Sequence, residues 1–405
     1  MKNTLETKFL LVSSLLTIFS LTAMIGCKYE SAPSLYDPNW QSKPQPVIDT
    51  VFPPDSALAA VDTIIITGRN FSPNPQEDIV FFNAGIAKII SATSTQLVLQ
   101  SPVVIGDSVQ IRVSVIGAEL FSEPYRYKLK AAVAPFGSFL PSETVLGLAT
   151  DASGILYASI VASGSDNGID KLTPDGLRTS YAPRTSGAVG WTSLKFGPGG
   201  YLYAARNIRA MYRFAPGGGS PAQVWVAFPV GVQIYDFDFD QSKNVWAGGN
   251  NNFIYLIKPD KSVKTFPFAA NIHSLRVFNN YLYFAAQKDS VEKVWRARIL
   301  PDSLGTPEVY FDFSGVYGTT PSALAITFSS EGDLYIGNDA TGVFLVIVHP
   351  NGTYETPYTA YTATLSPSCK IFAWGSGGSL FASTGAGKLL RIDTKKSGAP
   401  YYGTQ

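Results

Sequence analysis

The sequence predicts an all-β chain, a small β-sandwich followed by a six-bladed β-propeller. Three observations lead there. Runs rich in β-branched and aromatic residues recur from Val47 onward, separated by Gly, Pro, Asn and Asp turns. After about Ala132 a strand–turn–strand unit returns six times. Only two cysteines are present, so packing must hold the fold without a disulfide framework.

The N-terminus precedes both folded parts. Lys2 and Lys8 give a basic start, Phe9 to Ile25 is an uncharged run of 17 residues, and small Gly26 precedes Cys27. These are the parts of a secretory signal, and the run is near the lower limit for spanning a bilayer. The end of the run resembles a bacterial lipobox, with Met24 where Leu is usual. That resemblance implies cleavage after Gly26 and acylation of Cys27. An ordinary signal peptide and a permanent anchor are the alternatives. Residues 1–26 are therefore expected to be a lipoprotein signal peptide. Residues 27–45, rich in Pro and Ser and without a period, are expected to be a flexible tether. Several acyl chains hold a protein on a membrane where one is marginal. Lys28 does not resemble the Asp that retains some lipoproteins at the inner membrane, which points to the bacterial outer membrane.

Composition narrows the partners. The chain carries a net charge of +1, and 15 % of its residues are charged. The signal segment accounts for that +1 (Lys2 and Lys8 against Glu6), leaving the mature part near zero. No basic block is present to neutralise phosphates, so nucleic acid is not an expected partner. With Cys27 acylated, Cys369 is the one free thiol, too few for a cysteine-based zinc site.

The first folded segment spans residues 46–130. VDTIIITGRNFS, DIVFFNAGIAKIIS, TQLVLQSP and DSVQIRVSVIG alternate as half-buried strands. The segment resembles the TIG (IPT) family of immunoglobulin-like domains. The matching residues are Pro46 and Ile48, Pro53-Pro54, Ile64 and Ile66 with Gly68, Asn70-Phe71, Val80 and Phe82, Thr95 to Val98, Pro102, and Val109 to Val115. It departs at Ala59-Ala60, where the family usually has glycine. Such domains serve as spacers or binding modules and share no active site.

The second segment, residues 132–405, repeats. LGLATDASGILYASI, TSLKFGPGGYLYAAR, YDFDFDQSKNVWAGG, HSLRVFNNYLYFAAQ, ALAITFSSEGDLYIGN and KIFAWGSGGSLFAST each give a strand, a tight turn, and an aromatic-bearing strand ending in small residues. A third strand follows, often closing in Pro-Asp-Gly or a relative. The Leu or Val before each aromatic falls at 156, 202, 245, 282, 334 and 380, in steps of 46, 43, 37, 52 and 46 residues. Periods of this size with strand content point to propeller blades of four antiparallel strands; a solenoid is the other architecture with such a period. The small residues let blades approach near the axis, and the aromatics fill the wider gaps. The G-x-L-Y and P-D-G phrases resemble NHL-type and gluconolactonase-like propellers. Lipobox, TIG domain and NHL-like propeller together look like a group of bacterial surface lipoproteins.

Catalytic chemistry is poorly marked. Gluconolactonase-like propellers bind an axial divalent cation through an early Glu, an Asn midway and a late Asp. Glu143, Asn250 to Asn252, Asn338-Asp339 and Asp393 match those places poorly, and no metal or other cofactor is expected. In DFDFD, alternation puts Asp236, Asp238 and Asp240 on one face. A cation is one reading; inter-blade packing by Phe237 and Phe239, with Asp240 in a turn, is the preferred one. His349 reads as a turn residue. His273 beside Arg276 could serve a lyase-like acid–base role or form a structural pair. No catalytic residue is assigned.

Binding needs less than catalysis, because loops on a rigid scaffold suffice. The loops entering inner strands carry Trp191, Tyr235, His273 with Arg276, and Tyr317, and Asn338-Asp339 follow a second strand. These are the candidate ligand-binding residues. The expected function is a lipid-anchored, extracytoplasmic binding protein. Its propeller face recognises a glycan or protein, and its TIG domain is a spacer. A lactonase-like or lyase-like propeller enzyme is the alternative.

Overall fold

The computed structural model describes residues 39–185, 189–385 and 387–405. The hydrophobic run, Cys27 and most of the tether lie outside the described residues.

Residues 47–130 form a sandwich. One sheet orders Val47–Phe52, Thr63–Arg69, Gln96–Gln100 and Lys88–Ala92. The other orders Ser56–Leu58, Tyr125–Lys130, Gly106–Val115, Asp78–Phe82 and Gly85–Ile86. Strand alternation sends Ile64, Ile66, Val80, Phe82, Leu97, Leu99, Val109, Ile111 and Val113 into one fully buried core. Ala60 adopts φ 59°, the left-handed region glycine favours, at the place where glycine is usual in the resembling family.

Six blades follow. Blade 1 spans Glu143–Thr150 to Arg178–Ala182, and blade 2 spans Ser193–Phe196 to Gln223–Ala227. Blade 5 spans Ala323–Phe328 to Tyr354–Glu355. Blade 6 takes Ile371–Trp374, Ser379–Ser383 and Leu389–Asp393, and its outermost strand is Val133–Pro135 from the start of the segment. Two chain regions thus share one sheet. Its innermost strand packs against blade 5 on one side and blade 1 on the other, which closes the ring and excludes an open solenoid.

Blades 3 and 4 are joined differently. Blade 3 runs Asp236–Phe239, Val245–Gly248 and Asn250–Ile257, then enters the 16-residue strand Val263–Phe278. The first part of that strand is the outer strand of blade 3. Its second part is the inner strand of blade 4, paired with Tyr281–Lys288, and Val291–Leu300 and Glu308–Phe311 complete that blade. The other blades are connected by loops. The helix Phe313–Tyr317 lies in the loop from blade 4 to blade 5.

Aromatic pairs fill the gaps between blades. Tyr157 meets Phe196 at 4.8 Å, Tyr203 meets Phe239 at 5.1 Å, Tyr283 meets Phe328 at 4.5 Å, and Tyr335 meets Trp374 at 5.3 Å. Each first partner is the aromatic of one repeat, and each second partner ends the next blade's inner strand. Such pairs contribute about 0.5–1.5 kcal/mol beyond area burial. The small residues sit where space is shortest: a Cβ on Gly337 would lie 2.5 Å from the Cys369 carbonyl oxygen.

The domain junction is short and packed. Ala131 and Ala132 alone separate the sandwich from blade 6. Leu58, Ala132 and Val133 share a core with Tyr361, Leu365 and Ile392. The Tyr361 hydroxyl donates to the Ala59 carbonyl at 2.9 Å and accepts from the Ala132 N–H at 3.2 Å. Lys395 pairs with Asp62 across the same junction.

Candidate functional site

The ring has an upper face, where inner strands begin, and a lower face, where they end. The lower face is plugged by residues 398–405. The Ala399 N–H donates to the Phe328 carbonyl at 2.9 Å, Tyr402 is buried in the core, and Lys243 Nζ donates to the Tyr402 and Gln405 carbonyls at 2.7 and 2.6 Å.

Arg276 holds this plug from inside. It is 1 % exposed; its Nη1 donates to Asp238 at 2.6 Å, and its Nη2 donates to the Ala399 and Pro400 carbonyls at 3.0 and 2.9 Å. The guanidinium lies over the Tyr401 ring at 4.1 Å. Burial alone would lower its pKa; the Asp238 carboxylate outweighs that and holds it above the ordinary arginine value.

The acidic run ties neighbouring inner strands together. Asp236 accepts from Ser193 Oγ at 2.6 Å, Ser274 Oγ at 2.9 Å and the Leu275 N–H at 2.7 Å. Asp238 accepts from the Val277 N–H at 2.9 Å. Inner strands of neighbouring blades do not pair, so these carboxylates satisfy N–H groups that a ladder would otherwise take. Asp240 accepts from Trp246 Nε1 at 3.0 Å at the turn, and Phe237 and Phe239 are in the core. Glu143 opens the first inner strand, but Arg178 Nη1 and Nη2 donate to it at 2.8 and 2.9 Å. That pairing holds its carboxyl below the usual range.

Between the plug and the upper face lies a chamber of about 40 Å³, lined by Lys195, Asp236, His273, Ser274, Lys370 and Tyr401. About 10–15 Å³ of such space holds one water, so the chamber takes at least a few.

A larger cavity opens on the upper rim, over the joint of blades 3 and 4. It measures about 480 Å³, within the ordinary range of small-ligand sites. Its origin is the continuous strand Val263–Phe278: with no loop crossing from blade 3 to blade 4, this part of the rim is unroofed. Asn271 sits at the crossover and pairs in register with Asn250 on one side and Gln287 on the other. Asn250, Asn271 and Gln287 thus bring three amide residues to the cleft lining. Asn271 Oδ1 is buried without a hydrogen-bond partner among the described residues. Phe253, 38 % exposed, and Asp289 flank these amides. Asn251 both accepts from and donates to the Gln233 backbone, at 2.9 and 2.6 Å, pinning the wall.

A second cleft of about 440 Å³ lies on the lower face of the same blade pair. Its polar groups are engaged with one another: Asn244 and Trp246 donate to Asp240, and Lys258 pairs with Asp302.

The sequence-predicted residues scatter. Tyr235 stands beside the rim cleft, its hydroxyl donating to Gln233 Oε1 at 3.2 Å. His273 and Arg276 both line the axial chamber. Trp191 is 1 % exposed and stacks against the Arg206 guanidinium, whose centre is 4.5 Å from its ring. Tyr317 packs against Phe313, and burial raises its pKa. Asn338 is fully buried, whereas Asp339 is exposed and accepts from the Ser322 N–H at 2.7 Å. Burial pushes the Cys369 thiol up to about 12.

Asn271, Gln287 and Phe253 were not singled out from sequence. The available signal was the step of 37 residues between Val245 and Leu282, the shortest of the five, which marks the missing loop.

Comparisons with known proteins agree with this architecture. Residues 46–128 match the IPT/TIG domain family. No curated protein sequence matches the chain. A putative phosphatase from Bacteroides thetaiotaomicron is similar in structure, with a TM-score of 0.56 and 12 % identity over 89 % of this chain and 98 % of that one. An auxiliary nutrient binding protein from the same organism is similar at a TM-score of 0.52 and 11 % identity, over 88 % of this chain and 98 % of that one. At such identities the likeness shows fold alone, and it runs longer than the propeller segment. The chain therefore carries an immunoglobulin-like IPT/TIG domain followed by a six-bladed propeller.

Proposed function

We propose that this is a lipid-anchored binding protein outside the cytoplasm, held at the bacterial outer membrane through Cys27, that recognises a glycan in the upper rim cleft. The observation that carries the reading is the unroofed set of amides Asn250, Asn271 and Gln287 beside Phe253. Amides both donate and accept, which suits sugar hydroxyls, and an exposed ring suits the apolar face of a pyranose.

Orientation supports it. Val133, where the chain enters the propeller, shares a row with Ile392, Leu380 and Trp374 at the lower end of blade 6. The sandwich thus joins the propeller on the side away from the cleft, an arrangement that suits a cleft turned away from a membrane. A structural neighbour described as an auxiliary nutrient binding protein agrees with this reading. The alternative is an axial enzyme working at the chamber lined by His273 and Arg276.

The test is a glycan array probed with the mature chain carrying Cys27→Ser, alongside Asn271→Ala and Gln287→Ala. The expected result is an oligosaccharide retained by the first protein and weakened at least tenfold by either cleft substitution. Binding that survives both, or a ligand that proves to be a protein, refutes the site or the ligand class respectively.

A further inference from the structure

The sandwich carries an apolar face that the described residues leave uncovered. In the strand Asp78–Phe82, alternation buries Val80 and Phe82 and turns Ile79 and Phe81 outward. Phe81 pairs in register with Ile86, which is 62 % exposed, and its ring lies 5.8 Å from that of Phe121, which is 48 % exposed. Leu120, 61 % exposed, precedes Phe121. Single exposed apolar side chains are ordinary, but a contiguous group on one sheet face marks an interaction surface.

Two observations indicate what meets it. The first is where the chain enters. Lys43 bridges to Ala118, Ser42 Oγ accepts from the Glu119 N–H at 3.0 Å, and Gln45 Nε2 donates to the Phe121 carbonyl at 2.7 Å. The tether thus reaches the sandwich at the loop that carries Leu120 and Phe121. Cys27 stands 12 residues before Asn39, and a fully extended chain of that length spans at most about 40 Å. The second is charge. Arg112 lies opposite Phe81, and Arg126 lies opposite Gln110, the residue in phase with Arg112. Both arginines are exposed, and no ion pair engages either among the described residues. Between residues 77 and 126 the acids outside the core are Glu77, paired with Lys43, Asp107, paired with Lys128, and Glu119 and Glu123.

We propose that this face of the sandwich rests on an anionic lipid surface, the bilayer in which Cys27 is anchored. Ile79, Ile86, Leu120 and Phe121 enter the headgroup layer, where apolar side chains leave water, and Arg112 and Arg126 meet lipid phosphates. The inference rests on the lipid anchor of the proposed function. It gives the sandwich a role beyond spacing: a chain held by acyl groups alone can swivel, whereas a second contact fixes how the propeller is presented.

The test uses the mature protein with Cys27→Ser, which carries no acyl chain, sedimented with vesicles of phosphatidylethanolamine and phosphatidylglycerol. The face itself must then bind, so the result does not depend on acylation; mass spectrometry of the native amino terminus reads the anchor separately. The expected result is partition onto these vesicles, weakened at least tenfold by Ile86→Ser with Phe121→Ser and at least threefold by Arg112→Gln with Arg126→Gln. All four substitutions lie on the surface, so unchanged melting temperatures show that the fold is kept. No partition by the folded parent protein, or partition that the Ile86→Ser, Phe121→Ser variant retains, overturns the proposal. A concentration-dependent dimer that forms without vesicles and is dissolved by the same two substitutions overturns it in favour of a second copy of the chain.

Discussion

Asp238→Ala should unfasten the ring from its plug. Asp238 and Arg276 are each 1 % exposed. The carboxylate accepts from Arg276 Nη1 at 2.6 Å, the Val277 N–H at 2.9 Å and the Phe239 N–H at 3.0 Å. Without it, the guanidinium keeps carbonyl partners at Val277, Ala399 and Pro400 but no counter-charge. Breaking a buried pair on one side costs about 3–5 kcal/mol. At about 2–4 °C per kcal/mol for a domain of this size, the melting temperature should fall by roughly 6–20 °C. Replacing both partners, as Asp238→Leu with Arg276→Met, should recover much of that loss, because no charge is left bare. Denaturant melts of wild type, both single variants and the double variant give the coupling, expected above about 1 kcal/mol. Proteolysis of residues 398–405 should accelerate in Asp238→Ala. A cost below about 1 kcal/mol, or coupling near zero, would refute the clamp and reopen Arg276 as a ligand-binding residue.

Two further outcomes follow from the buried polar contacts. Arg178 holds the Glu143 carboxyl below its ordinary value of 4.5, so its contribution is present above that pH and is lost as pH falls through the lower, folded-state value. Glu143→Gln should therefore lose about 1.5–3 kcal/mol at neutral pH and converge with wild type in acid; pH-dependent melts check this, and a gap that widens in acid contradicts it. Tyr361→Phe strips the partner from the Ala59 carbonyl and the Ala132 N–H. It should cost about 1–3 kcal/mol and speed protease cutting near Ala131, and an unchanged digest would count against a fixed junction.

The blades were legible because each repeats the same demand: an aromatic that must reach the next blade, followed by residues small enough to let the strands crowd. Ring closure was hidden, since Val133–Pro135 is three residues long and its partner strand comes more than two hundred residues later. The continuous strand was hidden as well. The stretch around Asn271, His273 and Ser274 in VKTFPFAANIHSLRVF reads as a loop between an outer and an inner strand, yet it stays extended and pairs on both sides. Trp191 and Arg276 read as mouth residues because they flank predicted strand starts. Neighbouring blades in fact bury both, and Arg276 ends on a carboxylate 38 positions away.

The most direct test of the central claim, that the unroofed joint of blades 3 and 4 is the recognition site, is hydrogen-exchange mass spectrometry. The mature protein would be compared with and without the oligosaccharide selected on the array. Protection should concentrate at residues 230–232, 250–253, 269–271 and 287–289, which line the cleft. Protection confined to the sandwich, the lower face or another blade pair would contradict it.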